Sequence, residues 1–141
     1  MKKNVIISVT GTHVSMDSQE PVEVVSYGTY YKRNGKVYVK YLEVTEDNVT
    51  LDCLVKIDAD NEAVEITKKG QYSSCMVFKK DECCMTPYNT PFGALMLEIT
   101  TKEMIILEDE DILIARLKYA LDINYEHVAM CDIEVKVVSE P

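Results

Sequence analysis

Residues Tyr27 to Thr45 read YGTYYKRNGKVYVKYLEVT. Two runs rich in Val and Tyr flank Asn34-Gly35. Both turn residues tolerate the positive φ of a type I′ turn, whose twist matches the strands on either side. The downstream arm alternates, with Val37, Val39 and Tyr41 on one face and Tyr38, Lys40 and Leu42 on the other. The stretch is a long antiparallel hairpin, and the rest of the chain repeats its pattern.

Lys3 to His13 forms a first strand, with Val5, Ile7 and Val9 on one side. After the polar turn Glu46-Asp47-Asn48, the residues Val49, Leu51, Cys53, Val55 and Ile57 alternate with polar neighbours. Shorter strands follow over Glu62–Lys69 and Tyr72–Lys80. From Asp81 to Gly93 the alternation dissolves into the longest irregular stretch of the chain, the kind of connection that is often functional. Leu95, Leu97 and Ile99 restart it, Thr101-Lys102 turns, and Met104 to Leu107 pairs back. Ile112 to Ile123 and Val128 to Val138 are the two long final strands, joined by a turn at Asn124-Tyr125-Glu126. Asp109 to Leu121 contains good helix formers, but its apolar residues fall two apart, so the period favours strand.

These elements predict an all-β chain, an antiparallel up-and-down barrel of about 8–10 strands in a single domain over residues 1–141. A sandwich is the competing architecture. Closure removes exposed edges, and the long late strands favour the barrel. A chain of 141 residues is long enough to bury roughly 68% of its unfolded surface around one core.

Acidic residues outnumber basic ones 24 to 15, for a net charge of −9. That field repels a phosphate backbone, so no nucleic acid partner is expected. Lys68-Lys69 and Lys79-Lys80 are too short to reverse it. The opening MKKNVIISVTGTHV is broken by Ser8, Thr10 and Thr12 and does not read as a signal peptide. No window approaches the length of an apolar membrane span, so no membrane association and a cytoplasmic location are expected. The five cysteines, Cys53, Cys75, Cys83, Cys84 and Cys131, have no regular spacing, and there are two histidines. Free thiols, no metal and no cofactor follow. An enzyme finds little support, because nucleophile elbow, phosphate loop and zinc-protease motif are all missing. Cys131 with His13 is the pair a nucleophilic site would use, and a thiol on an apolar strand face is usually inert. The acidic Glu108–Asp111 turn lacks the spacing and glycine of a calcium loop.

Gly28-x-Tyr30, Asn34-Gly35-Lys36, Tyr38-x-x-Tyr41-x-Glu43, Tyr88-x-Thr90-Pro91-x-Gly93, Ile99-x-Thr101 and Tyr119-x-Leu121 together resemble the small bacterial calycin-like barrels of unknown function typified by YwiB. The resemblance spans nearly the whole chain and implies a lipocalin-like barrel. It implies almost nothing about activity. Where that family tends to show Arg-x-Gly, this chain has Lys68-x-Gly70, and lysine cannot reproduce a bidentate arginine contact.

Five residues are the candidate ligand contacts: Tyr41, Glu43, Tyr88, Thr90 and Tyr119. Glu43 shares the inward face of Val37, Val39 and Tyr41, so its carboxylate must be paired or protonated. It is either an anchor for a ligand's amine or hydroxyl, or a rim residue bonded to a tyrosine or lysine. Tyr41 and Tyr119 either present hydroxyls to a ligand or serve as core rings. Tyr88 to Gly93 is either a mouth loop or a rigid turn into the next strand. Two functions compete. One is a binding protein holding a small, largely apolar ligand inside the barrel. The other is a ligand-free packed barrel acting as a protein-interaction or homodimeric module, through an edge or a patch such as Tyr31, Ile112 and Ile114. If Met76, Phe78, Leu97, Leu117 and Tyr119 fill the interior, the first has no room.

Overall fold

The computed structural model describes residues 1–13, 22–44, 48–70, 73–90 and 93–141, except the side chains of 12, 13, 22 and 88–90. Ten strands run in order: β1 (Asn4–His13), β2 (Val22–Arg33), β3 (Lys36–Val44), β4 (Thr50–Asp58), β5 (Ala63–Lys69), β6 (Ser74–Lys79), β7 (Cys83–Thr90), β8 (Gly93–Glu108), β9 (Ile112–Ile123) and β10 (Glu126–Ser139). All pairings are antiparallel, and the sheet order is β6-β5-β4-β3-β2-β1-β10-β9-β8-β7. Each strand lies beside its neighbour in sequence, and β1 joins β10. Only β6 and β7 end the hydrogen-bonded order, and they pack against each other across a seam. The β6–β7 turn is tied to β8, where Asp81 N–H donates to the Thr101 carbonyl at 3.0 Å and Thr101 N–H to that of Glu82 at 3.2 Å. The result is a nearly closed up-and-down barrel.

Local chemistry accounts for the turns. Asn34 and Gly35 have φ of 53° and 77°, so the β2–β3 hairpin closes with two left-handed residues and pairs Arg33 with Lys36. Asn124 and Tyr125 repeat this geometry at 50° and 70° between β9 and β10. At the β4–β5 turn the Asp58 carboxylate accepts from the Asn61 backbone N–H at 3.3 Å and from its side-chain amide at 2.8 Å. Those bonds, above all the one from the Asn61 amide, hold the Asp58 carboxyl below its ordinary range.

Strand parity builds the core. Val37, Val39 and Tyr41 on β3 face Ile57, Val55 and Cys53 on β4, and all six are buried. On β9 the alternate residues Leu113, Ala115, Leu117 and Tyr119 are likewise buried, so Ile112–Ile123 is the expected strand and not a helix. Gly28 lets this core close over Tyr41, its cross-strand partner. A Cβ there would stand 2.9 Å from the Lys40 carbonyl oxygen and 3.2 Å from the Val39 side chain.

Two expectations are corrected. The expected irregular stretch Asp81–Gly93 holds a strand instead, because Cys83–Thr90 pairs with the start of β8, while residues 91–92 lie outside the described ones. Pro87 is tolerated because β7 ends the sheet and its free edge needs no N–H donor. Thr101-Lys102 is a bulge inside one continuous 16-residue strand rather than a turn.

Candidate functional site

The inward polar residues of β3, β4 and β5 come together near the barrel rim. Glu43 lies one inward step beyond Tyr41, and Lys68 pairs with Cys53 across the β4–β5 ladder. The Lys68 ammonium approaches the Glu43 carboxylate to 2.9 Å, with 34% and 13% of the two side chains exposed. The Cys53 thiol donates to the same Glu43 oxygen at 3.8 Å. Burial, and then the Glu43 charge, push the Cys53 thiol up to about 11, and burial drives the neighbouring Tyr41 hydroxyl upward as well. The cluster therefore holds one ion pair at the rim above two neutral groups, and its thiol is a weak nucleophile.

Tyr119 stands in a second, similar arrangement. It pairs with Cys131 across β9–β10 and hydrogen-bonds to it. Its ring meets Phe78 edge to face, with centroids 4.9 Å apart. Burial raises both the Tyr119 hydroxyl and the Cys131 thiol. Tyr41 and Tyr119 are 6% and 4% exposed, the burial of core rings. Tyr88 and Thr90 lie on β7 by their backbone, and their side chains fall outside the described residues, as does that of His13.

Among the described residues the centre of the interior is packed. Val39, Val55, Phe78, Ile99, Leu113, Ala115, Val135 and Val137 have no open surface. A side chain bordering a void wide enough for water would have surface open to that void. Leu97 and Leu117 are also buried, and Met76 packs against the same core.

A groove of about 1320 Å³ lies outside instead, crossing the outward faces of β2 to β6. Its floor follows the cross-strand row Thr29, Lys40, Leu54, Thr67 and Cys75. The next row holds Leu42, Asp52 and Lys69, with Tyr27 beside Leu42. Tyr27, Leu42, Val25 and Val44 are 73%, 55%, 58% and 66% exposed. Among the described residues neither Lys40, Asp52 nor Lys69 has an ion-pair partner. Above the groove the Tyr31 and Tyr38 rings stack at 4.9 Å, with Lys40 and Lys56 over them at 5.7 and 5.9 Å. Of the patch expected from sequence, Tyr31 is exposed here, whereas Ile112 and Ile114 are half-buried on β9. The groove and its surroundings carry one sequence signal: large apolar side chains at Tyr27 and Leu42, and at nearby Val25 and Val44, stand exposed.

Among the described residues no group of three or more His, Cys, Asp or Glu could hold a metal ion, and no helix is long and apolar enough to cross a membrane. Residues 7–135 match the family described as "Domain of unknown function (DUF1934)". The chain is also similar to the crystal structure of the YwiB protein from Bacillus subtilis, with a TM-score of 0.79 at 22% identity, over 99% of this chain and 93% of that one. That likeness shows a shared fold. No curated protein matches.

Proposed function

The chain belongs to the DUF1934 family of domains of unknown function, and from that premise we propose that it is a protein-interaction module, a barrel filled by its own side chains that binds through its outer surface. The carrying observation is the contrast between the two faces. Phe78, Ala115 and their inward neighbours leave no room for a guest, while Tyr27 and Leu42 stand open beside unpaired charges. Exposed apolar side chains grouped in this way mark interaction sites. All five cysteines are free, which suits a reducing compartment, so we place the module in the cytoplasm.

Native mass spectrometry of the chain purified from its own cells, beside Leu42→Glu, tests the reading. Non-covalent adducts lost in Leu42→Glu support it. A small molecule that stays bound in that variant overturns it.

One observation favours a second reading, in which a small, largely apolar ligand binds at the rim. Lys68 is partly open above the Glu43–Cys53–Tyr41 cluster, where its ammonium would anchor a carboxylate. Loss of a bound small molecule in Lys68→Met, with Leu42→Glu unaffected, would select that reading.

A further inference from the structure

The outward residues of β2, β3 and β4 carry an internal symmetry that names a partner for the outer surface, and the choice of partner rests on the interaction-module reading. Two residues on each strand form a square: Lys40 and Leu42 on β3, Leu54 and Asp52 on β4, with Lys40 opposite Leu54 and Leu42 opposite Asp52. One diagonal is charged and of opposite sign, Lys40 to Asp52. The other is apolar, Leu42 to Leu54. Val44 follows two residues after Leu42 on β3, and Tyr27 lines the groove with Leu42.

A twofold axis lying in the contact plane along the apolar diagonal exchanges the two sides of the square. It would lay Leu42 and Leu54 against their own copies and Lys40 against Asp52. It would also cross the strands of the two copies steeply, nearer the orthogonal than the aligned class of sheet packing. The shape allows this. A barrel is a hyperboloid, convex around its girth and concave along its strands, so two waists fit when crossed.

Net charge favours approach through the first half of the chain. Residues 1–80 carry eleven basic and eleven acidic side chains, so the entire −9 resides on residues 81–141, with thirteen acids against four bases. Two copies meeting on β2–β4 keep those acidic halves apart, and like charges therefore do not oppose association.

We propose that this chain forms a face-to-face homodimer through the outer surface of β2–β4, with Lys40 of each copy paired to Asp52 of the partner subunit across a Leu42–Leu54 seam. Such an interface is isologous, and every contact occurs twice.

Sedimentation velocity and light scattering on the intact chain test it. The wild type is expected to be a dimer. Leu42→Glu, Lys40→Glu and Asp52→Lys should each raise the dissociation constant at least tenfold. Mixing Lys40→Glu with Asp52→Lys should restore a dimer, because both crossed pairs then have opposite sign. All three positions face outward, so the variants should keep the wild-type circular dichroism, and the rescue is independent of any folding defect. A chain that stays monomeric at millimolar concentration overturns the proposal. So does a dimer that persists in Leu42→Glu, or a mixture that fails to reassociate. The outer-surface reading itself would fall only on the separate result that bound adducts survive Leu42→Glu.

Discussion

Lys68 on β5 holds the carboxylate of Glu43 on β3 at 2.9 Å, reaching across the inward face of β4, where Cys53 donates its thiol to the same oxygen. The pair sits at the rim, half in and half out of the core. An exposed ion pair contributes little, but removing the cation from a carboxylate only 13% exposed leaves a charge without a partner. Lys68→Met should lower unfolding stability by about 1–3 kcal/mol. Lys68→Arg should change it little, and the double variant Glu43→Leu/Lys68→Met should recover most of the loss. Urea denaturation of the three variants checks the order.

Ala115 on β9 is completely buried among inward side chains. Added methylenes in a well-packed interior force neighbours off their rotamers, so Ala115→Leu should cost about 1–3 kcal/mol. A stabilised or unchanged variant would mean that the barrel has space for a guest, and the packed-interior reading would fail.

Thr101 Oγ1 is buried without a hydrogen-bond partner among the described residues at the β8 bulge, facing Tyr119 across the ladder. Valine has the same shape and no hydroxyl to desolvate, so Thr101→Val should stabilise the protein by about 1 kcal/mol. A fall in the thermal midpoint would show that the hydroxyl has a partner in solution.

Burial raises the Cys53 thiol from 9.0 to about 11 and moves the Tyr41 and Tyr119 hydroxyls in the same direction. Each group has a folded value above its unfolded one. Its contribution to stability is therefore complete below the unfolded value and is lost as pH rises toward the folded one. Thermal midpoints should hold level to about pH 9 and fall between about pH 9 and about pH 11. Cys53→Val should fall less steeply. A flat profile in the wild type would show that these groups ionise as easily folded as unfolded.

Much of this architecture was legible locally. Asn34-Gly35 announces its turn because both residues accept positive φ, and alternation alone assigns Glu43 to the face of Val37, Val39 and Tyr41. Cys83–Thr90 was less legible, since Pro87 reads as a breaker until the strand is known to lie at the end of the sheet. The Thr101 bulge imitates a turn for a related reason: an extra residue shifts parity without ending the strand. Lysine at position 68 reads in the sequence only as half of the Lys68-Lys69 pair, and its partner Glu43 lies 25 residues away in the chain.

What the sequence by itself determined is which side chains face inward and where the chain reverses, because period-two alternation and turn conformation depend on neighbours a few residues apart. The tertiary structure alone decided register and closure. Those bring Lys68 to Glu43, set Lys40 diagonally across from Asp52, and fill the interior. The physical reason is that cross-strand neighbours are chosen by the sum of packing over the whole sheet, and no single stretch carries that sum.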